Sequence, residues 1–124
     1  MIQVEVLRGE RCEACNAKSP HVTAQEIAIL HPLVQEWQIT VEEGIRKLER
    51  TYTLKDFVEA AKFTVMVGDM AEEEQHHPRI VTEWGRVKVA WWTHKIFDMH
   101  RNDFIMASKT DMAFQELTGG GKGA

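Results

Sequence analysis

The chain has 124 residues, of which 15 are Lys or Arg and 19 Asp or Glu, with a formal charge of -4 and 44% hydrophobic residues. That is enough apolar material for one domain with a modest core, and too much for a disordered segment. The basic residues are scattered and outnumbered, which excludes a nucleic-acid footprint. No apolar run approaches the ~20 residues of a membrane span.

The start, "MIQVEVLRGE", carries Glu5 and no long apolar core, so a signal peptide is not expected and a cytoplasmic protein is. Residues 1–22 read as an arm with one strand-like stretch, "IQVEVL". The two cysteines, Cys12 and Cys15, stand in "RCEAC". They leave three readings open: half of a zinc site completed by His21 and His31, a redox pair, or plain thiols in a loosely packed arm.

"TAQE" at residues 23–26 has the form of a capping box, with a short helix following through Ile27 and Leu30 to a stop at Pro32. Trp37, Ile39 and Val41 alternate along a first strand, and "EEG" turns the chain. Leu48, Arg50, Tyr52 and Leu54 share one face of a second, half-buried strand. "TLKD" then signals an N-cap for the longest helix, from about Leu54 to Gln75. Phe57, Ala60, Ala61, Thr64, Val67, Gly68 and Ala71 form its stripe. Val58, Val65, Met66 and Met70 lie off that stripe, so a partner subunit is expected against this helix, and Gly68 is a candidate for its close approach. The "EEE" run at 72–74 reads as a solvated helix face.

Pro78 forbids continuation, which places His76 and His77 where helix gives way to strand. "RIVTEW", Gly85 and "RVKVAWWT" read as a hairpin. Trp37, Trp84 and Trp91 are expected in the core or on sheet faces. A last helix runs from about Asn102 to Leu117, and residues 118–124 form a flexible tail. The expected fold is α+β: one domain over residues 23–117, a four-stranded antiparallel sheet with helices on one face, in α-β-β-α-β-β-α order.

A turn centred on Gly85 would bring His94 back opposite His76, with Asp103 just beyond at the start of the last helix. Three histidines and a carboxylate then converge. Two chemistries fit: metal-free acid/base work, since histidine titrates near neutral pH, and a three-histidine zinc site with an open position. Loop histidines without a role remain the plain alternative.

Glu72, His76, His77, Pro78, Trp84, His94 and Asp103, in that spacing and without a gap, resemble the signature of the pterin-4a-carbinolamine dehydratases. Trp37 and "YTLKDFVEAAKF" extend the resemblance, which covers about residues 23–117. "RCEAC", "WWTH" and "HRNDFIMA" look like the bacterial branch that accompanies phenylalanine hydroxylase. The resemblance implies dehydration of 4a-hydroxytetrahydropterin to quinonoid dihydropterin, recycling the pterin cofactor of aromatic amino acid hydroxylases. It implies no metal or organic cofactor, a dimer or tetramer, and the same fold. By the same resemblance, His76 and His94 would be the acid/base pair and His77 would hold the pterin. Asp103 would orient His94 or touch substrate, and Glu72, Pro78, Thr93 and Trp37 would line the pocket. A non-catalytic pterin- or protein-binding module of the transcriptional-partner type is the alternative. Three departures stand out: Gln75 where some relatives carry an acid, Trp92 where many have a small residue, and His100 in place of a helix-capping hydroxyl.

Overall fold

The computed structural model describes residues 3–119, so Ile2 of the strand-like stretch and residues 120–124 of the expected tail lie outside the described residues. The order is α1 (Val4–Arg8), α2 (Ala24–Leu30), a 3-10 turn (His31–Val34), β1 (Gln38–Glu42), β2 (Ile45–Thr53), α3 (Phe57–Glu74), β3 (Arg79–Glu83), β4 (Arg86–Trp91), a second 3-10 turn (His94–Ile96) and α4 (Arg101–Thr118). The four strands form one antiparallel sheet in the order β1-β2-β4-β3. Helices α3 and α4 pack on one face of that sheet. The other face carries ion pairs, Arg79 with Glu42 and Glu49 and Lys88 with Glu49, as suits a face turned to water. No helix of the described residues is long and apolar enough to cross a membrane.

Two short turns set the sheet. Glu43 and Gly44 both take positive φ, 53° and 78°, the backbone of a two-residue hairpin turn between β1 and β2. In the second hairpin Glu83 pairs with Arg86 across Trp84 and Gly85, whose φ is 73°. The core gathers between sheet and helices. Trp37, Leu48, Tyr52, Phe63, Val87, Val89, Trp91 and Phe104 are all buried there. Tyr52 lies at its centre, with ring centroids of Phe63 and Phe114 each 4.7 Å away. Its phenol is pushed upward in pKa, by burial first and then by the adjacent Asp111 charge. Trp37 Nε1, an Arg50 Nη1 and the Tyr52 hydroxyl all donate to Asp111 Oδ1, at 3.0, 2.8 and 2.5 Å.

Several local expectations change. "VEVLR" is helix, not strand: only Leu7 of that segment is buried, and a one-turn helix docks that single side chain against α4. Helix α2 does end at Leu30, and Pro32 sits in the first turn of the 3-10 segment that follows, where its missing N–H costs nothing. Asp56, not Thr53, caps α3, accepting from the Glu59 amide at 2.8 Å. The buried stripe of α3 is Ala60, Phe63, Val67, Ala71 and Glu74, rotated from the expected one so that Phe63 meets Tyr52 and Phe57 is 50% exposed. Trp84 is 71% exposed on its turn. The Thr23–Glu26 capping box is formed as expected.

Candidate active site

Helix α3 ends before Pro78 can act. Gln75 takes a left-handed conformation, φ 54°, while its amide bonds Glu72 O and the His76 amide bonds Ala71 O. This is a Schellman closure with a glutamine at the usual glycine position. It satisfies the last carbonyls of α3 and turns His76 inward and His77 outward: His76 is buried, His77 exposed.

His76, His77, Thr93 and His94 line a single cavity of about 570 Å³. The size suits a small heterocycle. Each of the three rings is engaged through Nε2. That of His76 lies 2.6 Å from Asp103 Oδ1, that of His77 2.5 Å from Glu72 Oε2, and that of His94 3.2 Å from the His77 carbonyl oxygen. All three partners are acceptors, so each ring carries its proton on Nε2, and Nδ1 is the nitrogen left to exchange one. The rings are also held from behind. His76 stacks on Trp91 with 5.8 Å between centroids and 6° between planes, and His94 stacks on Trp92 at 4.5 Å and 17°.

Asp103 is the buried anchor of this arrangement. It is 0% exposed, and three donors converge on its carboxylate: His76 on Oδ1, and the Thr93 hydroxyl (3.0 Å) and His100 amide (2.8 Å) on Oδ2. A carboxylate so enclosed is stable because every lone-pair direction that matters is met. It orients His76 rather than His94, and its burial keeps it off the cavity surface. The reason is the hairpin register. Arg79 pairs with Ala90, so the turn lies between Trp84 and Gly85, and extending that register puts Thr93, not His94, across from His76. Position 100 does cap α4, through a ring nitrogen instead of a hydroxyl: His100 Nδ1 accepts from the Asn102 amide at 2.9 Å. Its buried Nε2 lies 3.1 Å from Glu13 Oε1 without hydrogen-bond geometry.

The remaining expected residues divide. Glu72 acts beside the cavity, through His77. Pro78 is half-buried in the turn but does not line the cavity, and Trp37 is fully buried on the far side of the core at Asp111. Trp92 covers the outer sheet face, with Lys47 Nζ 4.2 Å from its ring centroid, instead of narrowing the cavity. His21 pairs with Asp98 and His31 with the Trp37 carbonyl oxygen, so neither completes a zinc site with the cysteines.

The sequence reading passed over one whole wall. Arg11–Cys15 line the same cavity, against Glu73–His77 and Thr93–Lys95. The arm is not loosely packed: Cys12 N donates to Glu74 Oε1 at 2.7 Å, and Arg11 Nε lies 2.6 Å from Glu74 Oε2. Glu74 is therefore no part of a solvated face. Its place three residues after Ala71 on the buried stripe was the available signal. Burial, then the charges of Glu74 and Asp103, push the Cys12 thiol up to about 12, and burial raises Cys15 as well.

Residues 20–113 match the family model described as pterin 4 alpha carbinolamine dehydratase. A protein of Gloeobacter violaceus named "Putative pterin-4-alpha-carbinolamine dehydratase 1" is 56% identical over 105 residues, 85% of this chain and 90% of that protein. Another, of Syntrophotalea carbinolica, named "Putative pterin-4-alpha-carbinolamine dehydratase", is 51% identical over 108 residues, 87% of this chain and 96% of that protein. Among solved structures, the crystal structure of a transcriptional coactivator/pterin dehydratase from Brucella melitensis aligns with a TM-score of 0.68 at 26% identity, over 76% of this chain and 98% of that one. With the sheet order, the helix-to-strand histidine pair and these matches together, the chain belongs to the pterin-4-alpha-carbinolamine dehydratase family.

Proposed function

We propose that this chain dehydrates 4a-hydroxytetrahydropterin to quinonoid dihydropterin by histidine acid/base chemistry, without metal or organic cofactor, in step with an aromatic amino acid hydroxylase such as phenylalanine hydroxylase. The observation that carries the reading is the common tautomer: three histidines face one cavity, each fixed through Nε2 with Nδ1 left to move a proton. Loss of water from C4a requires one proton delivered to the departing hydroxyl and one removed from a ring nitrogen. His76 and His94 supply that pair. His77, with Glu72 behind it, holds the pterin and shares in proton movement. Asp103 keeps the His76 ring aimed, and Thr93 helps to hold Asp103. The reaction is a hydro-lyase step: a C–O bond breaks, water leaves, and no electron is exchanged with the protein.

Stopped-flow absorbance on freshly generated 4a-hydroxytetrahydropterin, with EDTA present, tests this. Wild type should accelerate dehydration, and His76→Ala and His94→Ala should each lose about 100-fold or more in kcat, the usual scale of a lost acid or base. Folded wild type without acceleration would overturn the assignment.

A second reading, a protein-binding module, rests on the coactivator name carried by the Brucella melitensis structure. Phe57, Val58 and Val65 on the outer side of α3 are 50%, 62% and 60% exposed. A face of that kind suits association. We take its occupant to be a second copy of this chain, giving a homodimer or homotetramer.

A further inference from the structure

The segment Arg11–Cys15 lies outside residues 20–113, the part that matches the family model, yet it lines the cavity that holds the three histidines. It is fixed by two buried side chains whose side-chain hydrogen-bond and ion-pair partners among the described residues all come from the arm. Glu74, with a side chain only 2% exposed, gives one carboxylate oxygen to the Cys12 amide and the other to the Arg11 guanidinium. Asn102, 1% exposed, takes the Glu13 amide on Oδ1 at 3.2 Å and returns Nδ2 to the Glu13 carbonyl at 2.9 Å, a two-way pairing like one rung of a sheet. Its Nδ2 also lies 3.1 Å from Cys15 Sγ. A buried carboxylate and a buried amide are costly unless matched, and here the matching partners come from the arm. Both clamps are neighbours of the catalytic apparatus: Glu74 stands two residues before His76, and Asn102 immediately before Asp103. The arm and the histidines are therefore referenced to the same two helix ends.

We infer that Arg11–Cys15 is a substrate-contacting wall of the pterin cavity, and that Glu74 and Asn102 are positioning residues that set pterin affinity through it. The inference rests on the proposed function of this cavity. The wall brings a guanidinium and the Glu13 carboxylate to a site whose other lining residues supply the proton chemistry. Its displacement loosens the grip on substrate and leaves the histidines, with Asp103, where they are.

Two measurements on the full chain test this. The first is steady-state dehydration by Glu74→Gln and Asn102→Asp. Each removes part of one clamp, so KM should rise about three- to tenfold, the scale of one or two lost hydrogen bonds, while kcat stays within about twofold. The second is an amide NMR titration of wild type with 7,8-dihydropterin, which does not depend on a variant folding. The Glu13, Ala14 and Cys15 signals should move together with those of His76 and His77. Histidine signals that move while the arm signals stay still, with KM unchanged in both variants, would overturn the inference and leave the dehydratase reading standing. Neither binding nor turnover by wild type would overturn both.

Discussion

Asp103 shows how much of the site's geometry depends on one fully buried side chain. Its carboxylate accepts from His76, Thr93 and the His100 amide. An asparagine has one acceptor oxygen for these donors and sets its NH2 against at least one of them. Asp103→Asn should therefore cost about 2 kcal/mol in denaturant unfolding, the penalty of an unmet buried donor. Dehydration kcat should fall at least about tenfold as the His76 ring loses its aim. Asp98 makes a different statement. Burial pushes its carboxyl up, but the Arg46 fork and His21 outweigh that and hold it at about 2. Its folded pKa thus lies below the ordinary value of about 3.9, so its contribution to stability is present above that value and is lost as pH falls toward 2. Asp98→Asn should lower the urea midpoint at pH 7, and the difference from wild type should shrink as pH falls below the ordinary carboxylate value and disappear below about pH 2. Residue types and spacing made the histidines and Asp103 legible in the sequence. Partnership was not, because a one-residue shift of the hairpin turn decides whether His76 or His94 meets the carboxylate.

At the scale of elements, the alternating strands, the two hairpins and the Thr23–Glu26 box could be read directly, since period and turn chemistry agree there. Helix α1 could not. "VEVLR" has strand-forming side chains, but no neighbouring strand edge takes it up, and docking Leu7 against α4 overrides local preference. Gly68 makes room for nothing within the described residues of this chain. A Cβ built there meets no atom within 4 Å, so within this chain nothing requires glycine. Gly68→Ala should stabilise α3 by about 0.5–1 kcal/mol, visible as a Tm raised by roughly 3 °C in calorimetry. A lowered Tm would mean that a partner backbone fills the space.

For the whole molecule, the sheet spends one face on the core and keeps ion pairs on the other, which leaves the outer side of α3 as the conspicuous apolar surface. Phe57, Val58, Ala61, Val65, Met66 and Leu117 border one shallow apolar depression there. If a second copy covers it, light scattering after gel filtration should give a multiple of 14.3 kDa for wild type. Val65→Glu should then reduce that mass toward the single chain while far-UV circular dichroism is unchanged. A charge at the middle of a buried contact is costly, whereas on an open surface it is nearly neutral.

The clamps on the arm span almost the whole chain. Asn102 holds Glu13 across 89 positions, Arg101 pairs with Glu10 across 91, and Lys109 Nζ reaches the Arg8 carbonyl across 101. Contacts between such distant positions are the slowest to close and carry the largest loop entropy. During synthesis the arm leaves the ribosome well before α4 and must wait for it. A nascent chain that already displays all three histidines still has an open-sided cavity, and the enclosure is completed only when α4 captures the arm.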